Sequence, residues 1–465
     1  MSEFDLIVIG SGPGGYRAAV LAKLRGLSVA IIEKAEWGGC CLNRGCVPKK
    51  DWHHTAKLIA SSKHFTKRGI QGNLTADLKI AWRHQKDIVQ AVQDSYIDYM
   101  KRLSITSFTG TGRFVDAHSV SIDGKETIHG KHIIIATGSS PFVPEGFPLS
   151  HDKILTTDDL FDRVPPTGRR VAVIGSGVVG TEFAFILAML GKRVTWITQS
   201  KPLAKSNFSQ PALKLLTDAL EACNIKPRMG IRPQSVDVSA PDVTLKLADG
   251  TEESFDWVLL GTGRTPHTAS LNLEAAGVTT DAKGFVTTNA HLQTNTSHIY
   301  AIGDVTNPNM TANHALADAA VAISNIINGN TRTQDNKAVP QLVYSALEMG
   351  FIGMSEDQAE DDELEAAVGF AAFESNPKAL GQDDFEGFVR LIADMDSGAL
   401  LGAEVIGDEA GELIHLIAQQ YGREDALKRF AGTFYNHPAR AEEVLNAAET
   451  LAAKWGLAEQ VFGEN

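Results

Sequence analysis

Cysteine is scarce in this chain, four among 465 residues, and three of the four crowd into positions 40–46. So thin a set excludes the stapled framework of a small secreted protein. Positive charge is in the minority: 43 Lys and Arg face 56 Asp and Glu, for a net charge of −13. That balance repels phosphate backbones and anionic lipid, so the expected partners are small molecules rather than nucleic acid or a membrane. The opening Met1-Ser2-Glu3-Phe4-Asp5 lacks the basic and apolar regions of a signal peptide, and a cytoplasmic location is expected. Long apolar runs are also missing, with one exception: Val171 to Leu190 carries a single charge over twenty residues, enough to cross a bilayer. Its glycines and Glu182 fit a buried strand, a glycine turn and a buried helix better.

What the chain does have is apolar mass and glycine. At ~150 residues per domain there is room for about three domains, and 43% hydrophobic residues supply their cores. A peptide hormone or a disordered tail is excluded. The 42 glycines suit tight turns and close approach of backbone to ligand.

Asp5 to Gly10 reads as a buried parallel strand, Ser11 to Leu27 as a glycine turn and helix, and Ser28 to Glu33 as a second strand. The unit recurs 165 positions later in Val171 to Thr198, where Gly10, Gly12, Gly15, Gly26 and Val29 fall on Gly175, Gly177, Gly180, Gly191 and Val194. Two Rossmann-like nucleotide-binding domains in one α/β chain follow. Pro165 to Gly168 and Gly329 to Pro340 read as linkers. Beyond them, strands at Phe388 to Asp394 and Leu400 to Gly407 precede helices at Glu409 to Tyr421 and Ala441 to Trp455, as in an α+β domain. The acidic stretch Glu356 to Glu365 reads as a solvated helix or loop.

In each unit the glycines let a turn close and let a pyrophosphate approach the N–H groups at a helix start. Glu33 stands 18 residues after Gly15, placed to accept from ribose hydroxyls. In the second unit Thr198 takes that place, so no carboxylate rejects a 2′-phosphate. Lys201 and Lys205 lie just beyond, and NADH against NADPH stays open. Glu182, on an apolar helix, needs a cation to be buried.

The third cluster is Gly38 to Lys50, GGCCLNRGCVPKK. Zinc lacks a second Cys/His pair at finger spacing, His53-His54 being a poor substitute, and no metal site is expected. Plain core cysteines leave the neighbouring glycines, proline and lysines unexplained. A redox disulfide at a helix start, where a thiolate is favoured, accounts for them better. Near the other end, His437 precedes a helix opened by Pro438. Glu442 falls in its first turns, where a carboxylate against one ring nitrogen leaves the other to move protons.

At these residues the chain resembles the pyridine nucleotide-disulfide oxidoreductases, whose pattern GGxCxNxGCxPxK is met by Gly38 through Lys50. Ile133 to Ser139, with Thr137 and Gly138, and Ile299 to Asp304 look like the family's later FAD motifs. Gly261 to Pro266, with Gly263, resembles the motif closing the nicotinamide domain, with His267 where asparagine is usual. The resemblance implies FAD on the first fingerprint and NAD(P)H on the second, with Asp304 near the ribityl chain. It implies an FAD domain over residues 1–150 completed by 280–340, an NAD(P) domain over 151–279, and a dimerisation domain over 341–465.

It further implies a Cys41–Cys46 redox pair, Cys41 meeting substrate and Cys46 facing the flavin. Lys50 would approach flavin N5 and pair with Glu182, and a His437–Glu442 dyad would serve the other subunit of a homodimer. Cys40 is given no role, and Cys223 is expected in the core. The implied reaction passes electrons between a dithiol, the disulfide, FAD and NAD(P). A non-catalytic flavoprotein scaffold would not need these residues intact.

For the dithiol, GPGGY in the first loop, Val178 and Ala322 look more like dihydrolipoamide dehydrogenases than glutathione reductases. That suggests a lipoyl-bearing protein as partner. Lys49-Lys50 is similar to the glutathione-reductase version, and Thr198 departs from the usual dihydrolipoamide dehydrogenase acid. Arg44 and Asp51-Trp52-His53-His54 fit neither. The tail, Val461 to Asn465, lacks the cysteine pair of mercuric reductases.

Overall fold

The apolar run after Asp5 ends a strand, Ser2–Ile9, that lies between two parallel neighbours, Val29–Glu33 and Glu126–Ile135. Leu6, Ile7 and Val8 have no exposed area, as burial on both faces of a parallel sheet requires. These strands belong to a seven-stranded sheet that continues through Thr106–Thr109 on one side and Ser119–Ile122 and Gly112–Phe114 on the other. Ile299–Ala301, from far downstream, also joins Glu126–Ile135 in parallel. The computed structural model describes residues 2–72, 74–148, 152–239 and 241–463. The division expected between residues 150 and 151 lies outside them, as do Met1, Glu464 and Asn465.

Helices α1 (Pro13–Leu24), α2 (Gly39–Arg44), α3 (Cys46–Ser61) and α4 (Leu78–Arg102) follow in the first part of the chain. Next come α5 (Thr157–Asp162), α6 (Val178–Met189), α7 (Gln210–Glu221) and α8 (Ala312–Asn328). Pro13 opens α1, where its missing N–H is no loss. Small residues then let α1 lie close on α8, where a side chain on Gly14 would stand 3.0 Å from the Ala315 carbonyl.

The repeat gives a second sheet, all parallel, in the order Lys226–Met229, Arg193–Thr198, Arg170–Ile174, Trp257–Leu260, Ile154–Thr156. Val171 to Leu190 is thus a strand, a turn and the buried helix α6, and no helix among the described residues is long and apolar enough to cross a membrane. After Pro340 comes a five-stranded antiparallel sheet, Gln341–Tyr344, Glu348–Gly353, Leu400–Ile406, Phe388–Asp394, Ala366–Ala372. Helices Ala410–Ala418 and Glu442–Trp455 pack on it. The acidic stretch begins as a helix, Glu356–Asp361, capped by Ser355, and Glu356 pairs with Arg390.

One core joins the second and third sheets to α3. Trp52 of α3, fully buried, packs 4.9 Å from the ring of Phe161 and shares a cluster with Phe183, Val343 and Phe351. Cys223, just past α7, packs against this cluster and bonds to the Ala219 carbonyl.

The candidate redox site

Both glycine loops are shaped by the same contacts. Gly10 has a φ of +104°, and a side chain there would stand 2.3 Å from the Ala136 carbonyl; one on Gly15 would stand 2.0 Å from the Gly10 carbonyl. Gly175 (φ +137°) and Gly180 repeat this, at 2.1 Å from the carbonyls of Gly261 and Gly175. The middle glycines differ: nothing lies within 4 Å of a side chain built on Gly12 or Gly177. The outer glycines close the turn, and the middle one faces open space at a helix start. Both loops therefore fit a dinucleotide pyrophosphate.

At the end of its strand Glu33 is buried and accepts from the Ser11 N–H (2.9 Å), the Ser11 hydroxyl (2.7 Å) and the Ala35 N–H (3.0 Å). A carboxylate offers about four acceptor positions, so one remains for a ribose hydroxyl. At the equivalent place Thr198 is 1% exposed, and its hydroxyl has no hydrogen-bond partner among the described residues. Lys201 and Lys205 lie exposed beyond it.

The cysteine segment sits on the first loop. Gly38 and Gly39 both take positive φ, and a side chain on Gly39 would stand 2.7 Å from the Gly12 Cα. The Gly38 N–H donates to the Ser11 hydroxyl at 3.0 Å. Asn43 fixes the turn by donating to the carbonyls of Trp37 and Gly39 at 3.0 and 2.9 Å. Cys41 and Cys46 form a disulfide with a Cα separation of 4.8 Å. Cys46 is the first residue of α3, where the positive helix end favours a thiolate. Cys40 stays free: Arg264 Nη2 donates to its sulfur at 3.3 Å, and burial pushes its thiol up to about 11.

The lysine expectation is corrected here. Glu182, 2% exposed, is met by Lys49 and not by Lys50: Nζ of Lys49 lies 2.8 Å from both carboxylate oxygens. Consecutive residues on a helix point about 100° apart, and the face of α3 turned to α6 is that of Lys49. Nζ of Lys50 instead stands 3.0 Å from the centre of the Tyr344 ring, where loss of hydration lowers its pKa. Tyr344 also donates its N–H to Glu182 at 2.8 Å.

The later motifs interlock. The Thr137 hydroxyl donates to the His267 carbonyl (2.6 Å) and the His267 N–H to the Gly138 carbonyl (2.8 Å). Asp304 accepts from the Ser139 hydroxyl at 2.5 Å and lies 3.8 Å from Arg264, whose Nε donates to Ser139 at 2.7 Å. Gly263 takes φ +112° just before this arginine, with open space around its missing side chain. Asp318, buried on α8, accepts from the Gly303 N–H, and burial raises its carboxyl to about 6.

His437 Nδ1 lies 2.9 Å from Glu442, and a carboxylate can only accept, so Nδ1 carries the proton. The Ala439 N–H and His437 together hold the Glu442 carboxyl below its usual range. The imidazole is 71% exposed, and no hydrogen bond or ion pair among the described residues joins it to Cys41 or Cys46 of its own chain.

Several side chains bordering the site carry more than the sequence suggested. Arg264, in sequence only one residue of the Gly261 to Pro266 motif, links Cys40, Ser139 and Asp304. Trp52 and His53 are core residues, Asp51 pairs with His84, and only His54 of that tetrapeptide is exposed. Val178, 40% exposed, opens α6, whereas Ala322 has no exposed area. Among the described residues no group of three or more His, Cys, Asp or Glu is arranged to hold a metal.

The family model for pyridine nucleotide-disulphide oxidoreductases matches residues 4–325, and the model for that family's dimerisation domain matches residues 339–448. A dihydrolipoyl dehydrogenase of Thermus scotoductus is 33% identical over 458 residues, covering 97% of this chain and 98% of the relative. Dihydrolipoyl dehydrogenase 3 of Haloarcula marismortui is 30% identical over 466 residues, covering 97% of each. In fold, LpdA of Mycobacterium tuberculosis superposes with a TM-score of 0.89 at 22% identity, covering 97% of this chain and all of the other (100%). The HOCl-induced flavoprotein disulfide reductase RclA of Escherichia coli gives 0.84 at 22% identity over 96% and 99%.

Proposed function

The chain belongs to the pyridine nucleotide-disulphide oxidoreductase family, an FAD- and NAD(P)-dependent enzyme family, and on that premise we propose that it exchanges electrons between a lipoyl-type dithiol and NAD(P) as a homodimer. The observation that carries this reading is the Cys41–Cys46 disulfide seated at the start of α3 on the first glycine loop. The dihydrolipoyl dehydrogenases among its relatives support the lipoyl substrate, and a lipoyl-bearing protein is the natural partner. With so few cysteines, a reducing compartment such as the cytoplasm suits the chain.

The partner subunit's His437 takes a proton from one substrate thiol. The resulting thiolate attacks the Cys41 sulfur, the Cys41–Cys46 bond breaks, and Cys46 departs as a thiolate favoured by the α3 helix start. The second substrate thiol then displaces Cys41, releasing a cyclic disulfide and leaving both cysteines reduced. Glu442 keeps the imidazole in the tautomer with a free Nε2. Bound FAD supplies the acceptor that couples this two-electron dithiol chemistry to hydride transfer with NAD(P). Gly10, Gly12, Gly15, Glu33, Thr137, Gly138 and Asp304 would hold the flavin nucleotide, and Gly175, Gly177, Gly180 and Gly263 the pyridine nucleotide.

Turnover of free dihydrolipoamide with NAD+ and with NADP+ tests the reading. Steady reduction of either nucleotide, abolished by thiol alkylation after reduction, is expected. A protein that binds flavin yet moves no electrons from the dithiol would overturn it. A second reading, reduction of a small disulfide such as that of glutathione, draws on the Lys49–Glu182 pair in the doubled-lysine segment; glutathione disulfide with NADPH is its assay.

A further inference from the structure

Arg44 lies inside the loop that the disulfide closes, and its guanidinium leaves that loop entirely. Nε stands 2.7 Å from both carboxylate oxygens of Asp162, and Nη2 stands 2.8 Å from Glu36. The side chain is 21% exposed, far less open than a solvated arginine. Asp162 ends α5, and Asp158, one turn earlier on the same face, lies 3.8 Å from the Cys40 sulfur. The cysteine segment thus meets α5, a helix that leads from the second sheet, at Cys40 just before the disulfide loop and at Arg44 within it.

We propose that Arg44 is a positioning residue that holds the two cysteines ready to re-form their bond after reduction. The inference rests on Cys41–Cys46 being the redox pair. While the S–S bond exists, it fixes the loop by itself. Once the bond is cut, the loop depends on α2, six residues long and too short to persist alone, on the Asn43 bonds to the Trp37 and Gly39 carbonyls, and on the Arg44 ties to Asp162 and Glu36, the first being the loop's one ion pair with α5 among the described residues. Tie and disulfide favour one geometry, so each stabilises the other reciprocally. Losing the tie lowers the effective concentration of one thiol at the other and favours the dithiol. Simple loss of a positive charge acts in the opposite sense, because a cation near the pair stabilises the thiolate form. The direction of the change therefore separates the two.

The test equilibrates the FAD-loaded enzyme anaerobically in buffers of dithiothreitol and its cyclic disulfide. In this exchange the protein S–S bond opens to two thiols while the reagent's two thiols close to one S–S bond, two electrons and two protons passing to the protein. After acid quench, alkylation and mass spectrometry count the thiols of Cys41 and Cys46. In Arg44→Met the midpoint shifts about 3- to 10-fold toward the dithiol, or roughly 15–30 mV. Asp162→Asn shifts the same way, the double variant shifts no further than Arg44→Met, and Arg44→Lys recovers part of the difference because lysine lacks the fork. Should Arg44→Met not fold, Arg44→Gln, which also removes both the fork and the positive charge, carries the test in its place.

Variants that titrate within twofold of the wild type, or that shift toward the disulfide, overturn the proposal. A wild-type enzyme whose Cys41 and Cys46 do not titrate together would instead overturn the redox pair itself.

Discussion

Lys49 holds Glu182 through both carboxylate oxygens at 2.8 Å, while its neighbour Lys50 lies over the Tyr344 ring. Removing one member of a buried pair leaves the other charged and uncompensated, typically at a cost of about 3–5 kcal/mol. Lys49→Met is expected to lose that much in chemical denaturation of the holoenzyme, and Lys50→Met no more than about 2 kcal/mol, the range of a partly desolvated cation on a ring. The reverse order would return Glu182 to Lys50.

Cys40 and Cys41 are adjacent but chemically unlike. A thiol held near 11 stays protonated and is a poor nucleophile at neutral pH. Cys40→Ser is expected to keep at least a third of the wild-type turnover, whereas Cys41→Ser and Cys46→Ser fall by about 1000-fold or more when dithiol oxidation is assayed. Cys46→Ser should also lose the long-wavelength flavin absorbance seen on partial reduction.

For the exposed dyad, His437→Gln is expected to lower kcat by about 100- to 10,000-fold, the usual share of general acid–base catalysis. Glu442→Gln keeps an acceptor for Nδ1 but not the charge, and a loss of roughly 10- to 100-fold follows. Equal losses in the two variants would contradict an orienting role for Glu442.

At the end of Arg193–Thr198 a buried hydroxyl with no partner among the described residues stands where the first unit has Glu33. With no carboxylate to repel a 2′-phosphate, NADP+ should be accepted, and Thr198→Glu should raise the NAD+/NADP+ ratio of kcat/KM by about tenfold or more. An unchanged ratio would place nucleotide selection elsewhere.

His53 supplies a pH test of stability. Burial pulls its imidazole down to about 3, so it is neutral in the folded protein and donates to the Ser345 carbonyl at 3.0 Å. A group depressed on folding stabilises fully above its unfolded pKa, about 6.5, and progressively less as pH falls toward the folded value. Acidification from pH 7 to pH 5 should thus remove about 2 kcal/mol through this residue. His53→Gln, uncharged at both pH values, should flatten that part of the profile; an equally steep profile would refute it.

Much of this arrangement could be read from residue order, because the relevant physics is local. The glycines at 10 and 15 and at 175 and 180 declare their turns, since only glycine tolerates a carbonyl 2.0–2.3 Å from where a side chain would begin. The strands at Phe388–Asp394 and Leu400–Ile406 follow from their apolar runs. What stayed hidden depends on direction around a helix and on distant partners. Whether Lys49 or Lys50 faces Glu182 is decided by the rotation of α3 against α6, which no motif records. The roles of Arg44 and Arg264 depend on Asp162, Ser139 and Asp304, which lie from tens to more than a hundred residues away in the chain and are brought near only by the fold. Trp52 and His53 looked like site residues because they border the cysteines, yet the helix turns them inward.

Tyr344 and Ser345 stitch distant parts of the molecule together. The Tyr344 N–H meets Glu182, the Ser345 carbonyl meets His53, and the Ser345 hydroxyl donates to the Thr181 carbonyl at 3.0 Å. A polypeptide shortened to end at Pro340 would strip the helix behind the second glycine loop and the helix behind the cysteines of these partners at once. Excising the carboxy-terminal quarter would therefore disturb the chemistry of the chain's own interior, quite apart from removing its dimerisation domain.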